Sequence, residues 1–142
     1  MLEYLRCLSD MTRARIFHLL ARRGPELCVC DLIAALGLPQ STISRQLMML
    51  RYLGLVKDRR EAVWMHYSLA KPESEGHRLV VNLMRRGFNK EPVFSEDLAR
   101  FDKLKVRGKV LNRDGRCGAR TARPRGTAAE HRNGSKKRPA SL

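Results

Sequence analysis

The sequence predicts a mainly α-helical domain that carries one β-hairpin. Between residues 31 and 53 a short helical pattern, a Gly-Leu-Pro turn and a longer helical pattern follow one another. Two runs rich in β-branched and aromatic residues, 55–60 and 63–69, come directly after Gly54. A helix, a tight turn and a helix followed by a hairpin is the order of elements in a winged helix-turn-helix.

The N-terminal part of the chain predicts two helices. Leu2, Leu5 and Leu8 fall at helical spacing and indicate a short first helix. Ser9 and Asp10 are good N-terminal caps for a second helix, which Gly24-Pro25 ends. The apolar stripe of this second helix consists of Ile16, Phe17, Leu19 and Leu20.

The middle of the chain predicts the helix-turn-helix and the hairpin. A third helix is expected from Asp31 to Leu36 and a fourth over residues 40–53. Glu61-Ala62 is the expected hairpin turn, although it lacks the usual Asn-Gly or Asp-Gly pair. The apolar face of the fourth helix is formed by Ile43, Leu47, Leu50 and Leu53.

The C-terminal part predicts two more helices and a tail. A fifth helix is expected from Pro72 to Gly87, with His77 on its surface, and a last short helix from Ser95. The apolar face of the fifth helix is Leu79, Val80, Leu83 and Met84. The expected units are therefore a winged helix-turn-helix domain at 1–87, a short helical extension at 88–106 and a disordered basic tail at 107–142.

The charge of the chain favours a phosphate-rich partner. The 142 residues include 29 Lys+Arg and 14 Asp+Glu, a formal net charge of +15. Residues 105–142 hold 12 of the basic and 2 of the acidic side chains, so the tail supplies most of the excess positive charge.

Neither a bilayer span nor a signal peptide is recognisable, so we expect a cytoplasmic protein without a membrane partner. In that compartment its 4 cysteines are expected to be thiols or metal ligands.

The predicted fourth helix has the side chains of a DNA-contacting helix. In a helix-turn-helix the N-terminal residues of the second helix face base edges in the major groove. Arginine can pair with guanine and glutamine with adenine. Arg59 and Arg60 are expected near the hairpin tip, where they would contact the phosphate backbone or the minor groove. The candidate base-contacting residues are Gln40, Ser41, Thr42, Ser44, Arg45 and Gln46.

Cys28 and Cys30 lie directly before the predicted third helix, and they offer two thiolates for a soft ion. Residues two apart on a regular helix point away from each other, so one ion can be held only if the start of the third helix is not fully helical or is unwound by binding. Chelation would then strain a helix that packs against the DNA-contacting helix. The alternative is that both are small buried hydrophobic residues.

No enzymatic centre is predicted. The four histidines form no ligand spacing with the cysteines, and there is no Ser/His/Asp set, phosphate-binding Gly-rich loop or pair of acids arranged for catalysis. A thiol oxidoreductase would normally use Cys-x-x-Cys in an α/β fold, and neither is present. We therefore expect no enzyme and no permanent cofactor.

Several segments together resemble the ArsR family of metalloregulatory repressors. They are Leu8-Ser9-Asp10-x-Thr12-Arg13, Glu-Leu-Cys-Val-Cys-Asp-Leu at 26–32, Ile43-Ser44-Arg45-Gln46-Leu47, Leu50-Arg51-x-x-Gly54-Leu55-Val56 and Trp64-Met65-His66-Tyr67. The resemblance covers roughly residues 5–87, and the cysteine segment is similar to the arsenic-responsive branch. It implies a homodimer, paired through the first and fifth helices, that represses its own operon at a palindromic double-stranded DNA operator. Arsenite or antimonite at Cys28 and Cys30 would release it.

The sequence departs from the family in three respects. A third cysteine often follows three residues after the second, and here that position is Ile33, so the third thiolate would come from Cys7, Cys117 or an external thiol. The fifth helix has only His77, so no zinc or nickel site is expected there. The basic tail is not part of the family pattern.

Three other readings stay open on the sequence. A cadmium- or lead-sensing repressor would need four thiols, including Cys7. A thiol-redox-sensing repressor would join Cys28 and Cys30 in a disulfide. A DNA-compacting protein driven by its tail would bind with little sequence preference.

Overall fold

A computed structural model describes residues 1–106 of the chain. Residues 107–142, on which the predicted disordered tail falls, lie outside the described part. In chain order the elements are α1 (Leu2–Leu8), α2 (Met11–Arg23), β1 (Leu27–Cys28), α3 (Val29–Leu36), α4 (Gln40–Tyr52), β2 (Val56–Glu61), β3 (Trp64–Leu69), α5 (Glu75–Arg86) and α6 (Pro92–Val106).

The predicted winged helix-turn-helix is confirmed. Helix α3 ends at Gly37, whose φ of +65° lies in the left-handed region that favours glycine. The Gly37 N–H donates to the Ile33 carbonyl at 2.9 Å, which closes the last turn of the helix. Helix α4 then begins at Gln40 after Pro39, and the β2–β3 hairpin follows as the wing.

Side-chain caps set the beginnings of two helices. The Asp10 carboxylate accepts a hydrogen bond from the Arg13 N–H at 3.0 Å, as its capping type predicts. Ser74 caps α5 in the same way, so that helix begins at Glu75 and not at the predicted Pro72. Helix α6 begins at Pro92, three residues before the predicted Ser95, because proline is well suited to the first position of a helix.

The sheet has three antiparallel strands in the order β1-β3-β2, and the sequence predicted only the last two. Strand β1 pairs Leu27 with Tyr67 and Cys28 with His66. The predicted hairpin turn was wrong by one residue: Glu61 pairs with Trp64, and the two residues between them form the loop. Ala62 adopts a φ of +53° there, as a two-residue hairpin loop requires.

The core lies around α2, whose predicted apolar stripe is fully buried. The apolar face of α4 packs against it from one side, and Phe94 and Phe101 of α6 are also buried in this core. His77 is buried as well, and its ring lies tilted against that of Tyr4 with centroids 5.4 Å apart, so its predicted surface position was wrong. Packing of α1 against α5 covers this histidine, which the sequence pattern of α5 alone does not show.

The predicted apolar face of α5 divides into two rows. Val80 and Met84 belong to the core, whereas the side chains of Leu79 and Leu83 are about half exposed, at 50% and 48%. Leu2 and Leu5 of α1 are exposed too. Within residues 1–106, no helix has the length and apolar character needed to cross a membrane.

Helix α6 packs across both α2 and α3. Its Asp97 is almost completely buried and accepts two hydrogen bonds from the Arg15 guanidinium, both at 2.7 Å. Arg15 also donates to the carbonyl of Leu36, the last residue of α3, at 3.1 Å. The ion pair therefore ties three helices together next to the turn that precedes α4.

Candidate nucleic-acid interface and thiol site

Helix α4 turns an aliphatic face inward and a polar face outward. Ile43, Leu47 and Leu50 are fully buried, and the opposite face lies on the surface of the molecule. Of the six candidate base-contacting residues on this helix, Gln40, Ser41, Ser44 and Arg45 are exposed, and Thr42 and Gln46 are half-buried. The helix contains no acidic residue, so its exposed face can approach phosphates without charge repulsion.

Gln46 is held by another helix. The Arg13 Nη1 of α2 donates to the Gln46 Oε1 at 2.9 Å, and the Arg13 Nε donates to the Cys7 carbonyl at 2.6 Å. Gln46 therefore has one of its polar atoms engaged within the chain, between α2 and α4. Sequence reasoning did not identify Arg13 as the residue that fixes this arrangement.

The two arginines of the wing have different surroundings. Arg59 lies opposite His66 in the sheet and makes two hydrogen bonds to the Glu26 carboxylate, at 3.0 and 2.8 Å, and one to Glu61 at 2.9 Å. Arg60 is nearer the loop and donates to the Ala62 carbonyl at 3.1 Å. Arg60 is thus the wing arginine without an acidic partner among these contacts.

Cys28 caps α3 with an extended backbone, at φ −70° and ψ 148°, while Cys30 lies within the helix. Both side chains are buried. The Cys28 N–H donates to the Asp31 carboxylate at 3.3 Å. Burial raises the pKa of the Cys28 thiol, and the backbone N–H groups of Cys30 and Asp31 act in the opposite direction. Cys28 therefore lies just outside the regular helix and Cys30 lies inside it, because α3 begins at Val29, two residues before the predicted Asp31.

The cysteines of the described part are in different chemical states. Cys7 and Cys28 are free thiols, and Cys30 is disulfide-bonded. Cys28 and Cys30 are consequently not joined to each other. Cys117 lies outside the described residues.

The described part of the chain supplies no third ligand next to Cys28 and Cys30. Among residues 1–106, no three His, Cys, Asp or Glu side chains are grouped so that they could hold a metal ion. Cys7 instead lines a groove with Arg13 and Met49, beside α1 and α4. A third thiolate would therefore have to come from elsewhere.

Strand β1 connects the thiol site to the wing. Cys28 is paired with His66 of β3, and the preceding Glu26 carboxylate is bonded to Arg59 of β2, which also lowers the pKa of Glu26. On the other side, Lys105 Nζ of α6 lies 3.5 Å from the Asp31 carboxylate. A change at Cys28 can thus act on α3 and on the wing sheet at the same time.

Comparisons with known proteins identify the family of the chain. A family model described as bacterial regulatory protein, arsR family, matches residues 3–58. The chain is 53% identical over 64 residues to the arsenic resistance transcriptional regulator ArsR1 of Pseudomonas putida, covering 45% of this chain and 49% of that protein. It is 46% identical over 69 residues to the arsenical resistance operon repressor of Escherichia coli, covering 49% and 58%. The chain thus spans about half the length of these curated relatives.

A solved structure supports the fold. Reduced HlyU from Vibrio cholerae superposes with a TM-score of 0.53 and 31% sequence identity, covering 61% of this chain and 86% of that one. The match extends over most of that protein, so the shared architecture is not restricted to the helix-turn-helix.

Proposed function

Because the chain belongs to the arsR family of bacterial regulatory proteins, we propose that it is a transcriptional repressor that arsenite or antimonite releases from its operator. The position of Cys28 carries this proposal. That residue caps the first helix of the helix-turn-helix and is also paired with the wing sheet. The names of the two curated relatives, both of which refer to arsenic resistance, support arsenite as the signal.

DNA binding uses the exposed polar face of α4. Gln40, Ser41, Ser44 and Arg45 face base edges in the major groove, with Thr42 at the margin. Arg60 contacts a phosphate beside the wing, where a guanidinium can form charge-assisted hydrogen bonds. Arg59 and Gln46, which have partners within the protomer, hold the wing and α4 in place and contribute less to DNA contact.

The repressor acts as a homodimer on a palindromic operator. Leu2 and Leu5 of α1 and Leu79 and Leu83 of α5 remain exposed on the protomer, and α1 contacts α5. Burying leucines between two copies is favourable by roughly 25 cal/mol per Å² of apolar surface. A two-fold dimer presents two copies of α4 to successive turns of the major groove.

Release follows from the geometry of the two cysteines. Arsenite bonded to thiolates supplies soft-acid coordination that holds the sulfur atoms to one centre. Cys28 is extended and Cys30 is helical, so bringing both sulfurs to one ion must distort the first turn of α3. This distortion breaks the hydrogen bond from the Cys28 N–H to Asp31 and shifts α3 against α4. Cys117 or an external thiol provides the third thiolate.

An arsenite titration tests the proposal. Fluorescence anisotropy is followed for full-length protein on its upstream DNA, at fixed salt, with a phosphine reductant to convert Cys30 to a thiol. We expect arsenite to release the wild type and a Cys7→Ser control, while Cys28→Ser/Cys30→Ser stays bound. Release of the double variant at the same arsenite concentration would refute the proposal. Equal affinity for unrelated DNA of the same length would instead favour non-specific compaction by the tail.

A response to oxidation is the second candidate, because peroxide could join Cys28 and Cys30 in a disulfide once Cys30 has been reduced to a thiol. In the same assay without reductant, peroxide would then release the DNA and arsenite would not.

A cadmium or lead sensor is distinguished by the Cys7→Ser variant, which would lose its response to those ions.

A further inference from the structure

The exposed face of α4 continues past the polar residues into two large apolar side chains. Met48 is 65% exposed and Tyr52 is 84% exposed. They stand three and seven residues after Arg45, on the same side of the helix as Ser41 and Arg45. The four residues Ser41, Arg45, Met48 and Tyr52 therefore form one exposed row opposite the buried face.

Other residues in the second half of α4 are directed toward neighbouring elements. Arg51 donates to the Asp58 carboxylate of β2 at 2.8 Å. Met49, together with Leu53 directly after the helix, lines the groove that also includes Cys7 and Arg13. Met48 and Tyr52 thus extend the row without belonging to either of these lateral contacts.

The composition of the row indicates what covers it. The helix has no carboxylate, so the row suits a polyanion. Because the row continues from serine and arginine into an apolar patch, the polyanion must also offer apolar groups. DNA meets both requirements, because thymine presents its C5 methyl group in the major groove among hydrogen-bonding base edges. Ser41 and Tyr52 are about 16 Å apart along the helix axis, roughly five base steps, so one row can follow one half-site.

We propose that Met48 and Tyr52 are specificity-determining residues that contact thymine C5 methyl groups in the major groove, beyond the bases that Ser41 and Arg45 contact. The inference rests on the DNA-binding part of the proposed function. It makes the operator preference of this chain depend on apolar contact as well as on hydrogen bonding. A thioether is flexible and polarisable, and it can adapt to a methyl group at slightly different positions.

Replacing thymine by deoxyuridine tests the inference, because the exchange removes only the methyl group. Full-length wild-type protein first selects a binding site from random duplexes, without arsenite. Each thymine of that site is then replaced singly, and affinity is measured by anisotropy at fixed salt. We expect a loss of about fourfold at one or two thymines in each half-site, the value for burying one methyl group.

Alanine variants show which residue causes each loss of affinity on replacing thymine by deoxyuridine. In Met48→Ala one thymine position should lose its sensitivity to deoxyuridine, and in Tyr52→Ala another. Met49→Ala is the matched control on the same helix and should keep the wild-type pattern. Since Met48 and Tyr52 are exposed, their replacement leaves the core unchanged.

The outcomes separate this inference from the proposed function. A specific site whose deoxyuridine sensitivity is the same in wild type, Met48→Ala and Tyr52→Ala overturns the inference and leaves repression intact. Failure to select any specific site removes the proposed function itself. A changed sedimentation coefficient of Met48→Ala with an unchanged thymine pattern would assign the row to a protein contact and also overturn the inference.

Discussion

At the scale of single residues, one buried group, His18, bears directly on stability. His18 is 1% exposed, its ring lies 4.9 Å from that of Phe94, and within the described residues neither ring nitrogen has a hydrogen-bond partner. Burial lowers the pKa of His18 to about 4, Arg22 and Arg23 act in the same direction, and Asp97 opposes them. The folded protein therefore keeps this histidine neutral.

This pKa predicts a loss of stability in mild acid. The unfolded chain binds a proton at His18 near pH 6.5, whereas the folded chain does so only near pH 4. The contribution of His18 is thus fully present above pH 6.5 and is lost as the pH falls toward 4. We expect the free energy of unfolding to fall by about 2 to 3 kcal/mol from this group between pH 7.5 and pH 4.5.

Urea denaturation at both pH values measures the effect. The same measurement is made on His18→Phe, whose new side chain cannot titrate. The pH dependence that remains in this variant comes from the carboxylates and His77, and the difference from the wild type is the contribution of His18. Parallel pH profiles for the two proteins would show that His18 is not the responsible group.

At the scale of elements, α6 is the component whose importance the sequence understated. Its 15 residues supply Phe94 and Phe101 to the core, and Asp97 to the buried ion pair. Through Arg15 this pair also reaches the last carbonyl of α3. The helix therefore stabilises the position of the helix-turn-helix relative to α2.

Replacing Asp97 by alanine should destabilise the protein by about 3 to 5 kcal/mol. The reason is that the Arg15 side chain, only 13% exposed, would lose its carboxylate partner. Asp102→Ala is the matched control, because the Arg23–Asp102 pair lies at the surface and should contribute less than about 1 kcal/mol. Thermal unfolding compares the two. Equal losses of stability in the two variants would contradict the prediction, because they would mean that burial does not increase the contribution of the Arg15–Asp97 pair.

At the scale of the whole molecule, the exposed leucines of α1 and α5 predict assembly. Charges placed at Leu79 and Leu83 would have to be buried without partners in a dimer. We expect Leu79→Glu/Leu83→Glu to sediment as a folded monomer and to lose operator affinity, because each protomer would then contact a single half-site.

The control for this experiment is Val63→Glu, which changes an equally apolar, exposed residue at the wing tip. It should sediment like the wild type, and circular dichroism should show unchanged helix content in both variants. A dimer that persists in the leucine double variant would place the interface elsewhere.

Several features of this protein could be predicted because they depend on neighbours along the chain. The spacing of Ile43, Leu47 and Leu50 predicts the buried side of α4 from the helical period alone. The side chain of Asp10 predicts the beginning of α2, and Gly37 predicts the end of α3. The helix-turn-helix was therefore determined locally by the sequence.

The tertiary structure decided the features that depend on partners far along the chain. Strand β1 has two residues, too few for any periodicity, and exists because Leu27 and Cys28 pair with β3. His77 is buried because α1 covers it, and Gln46 is held because Arg13 lies across from it. Burial and hydrogen bonding of a side chain are set by whatever packs against it, and spacing within one element does not contain that information.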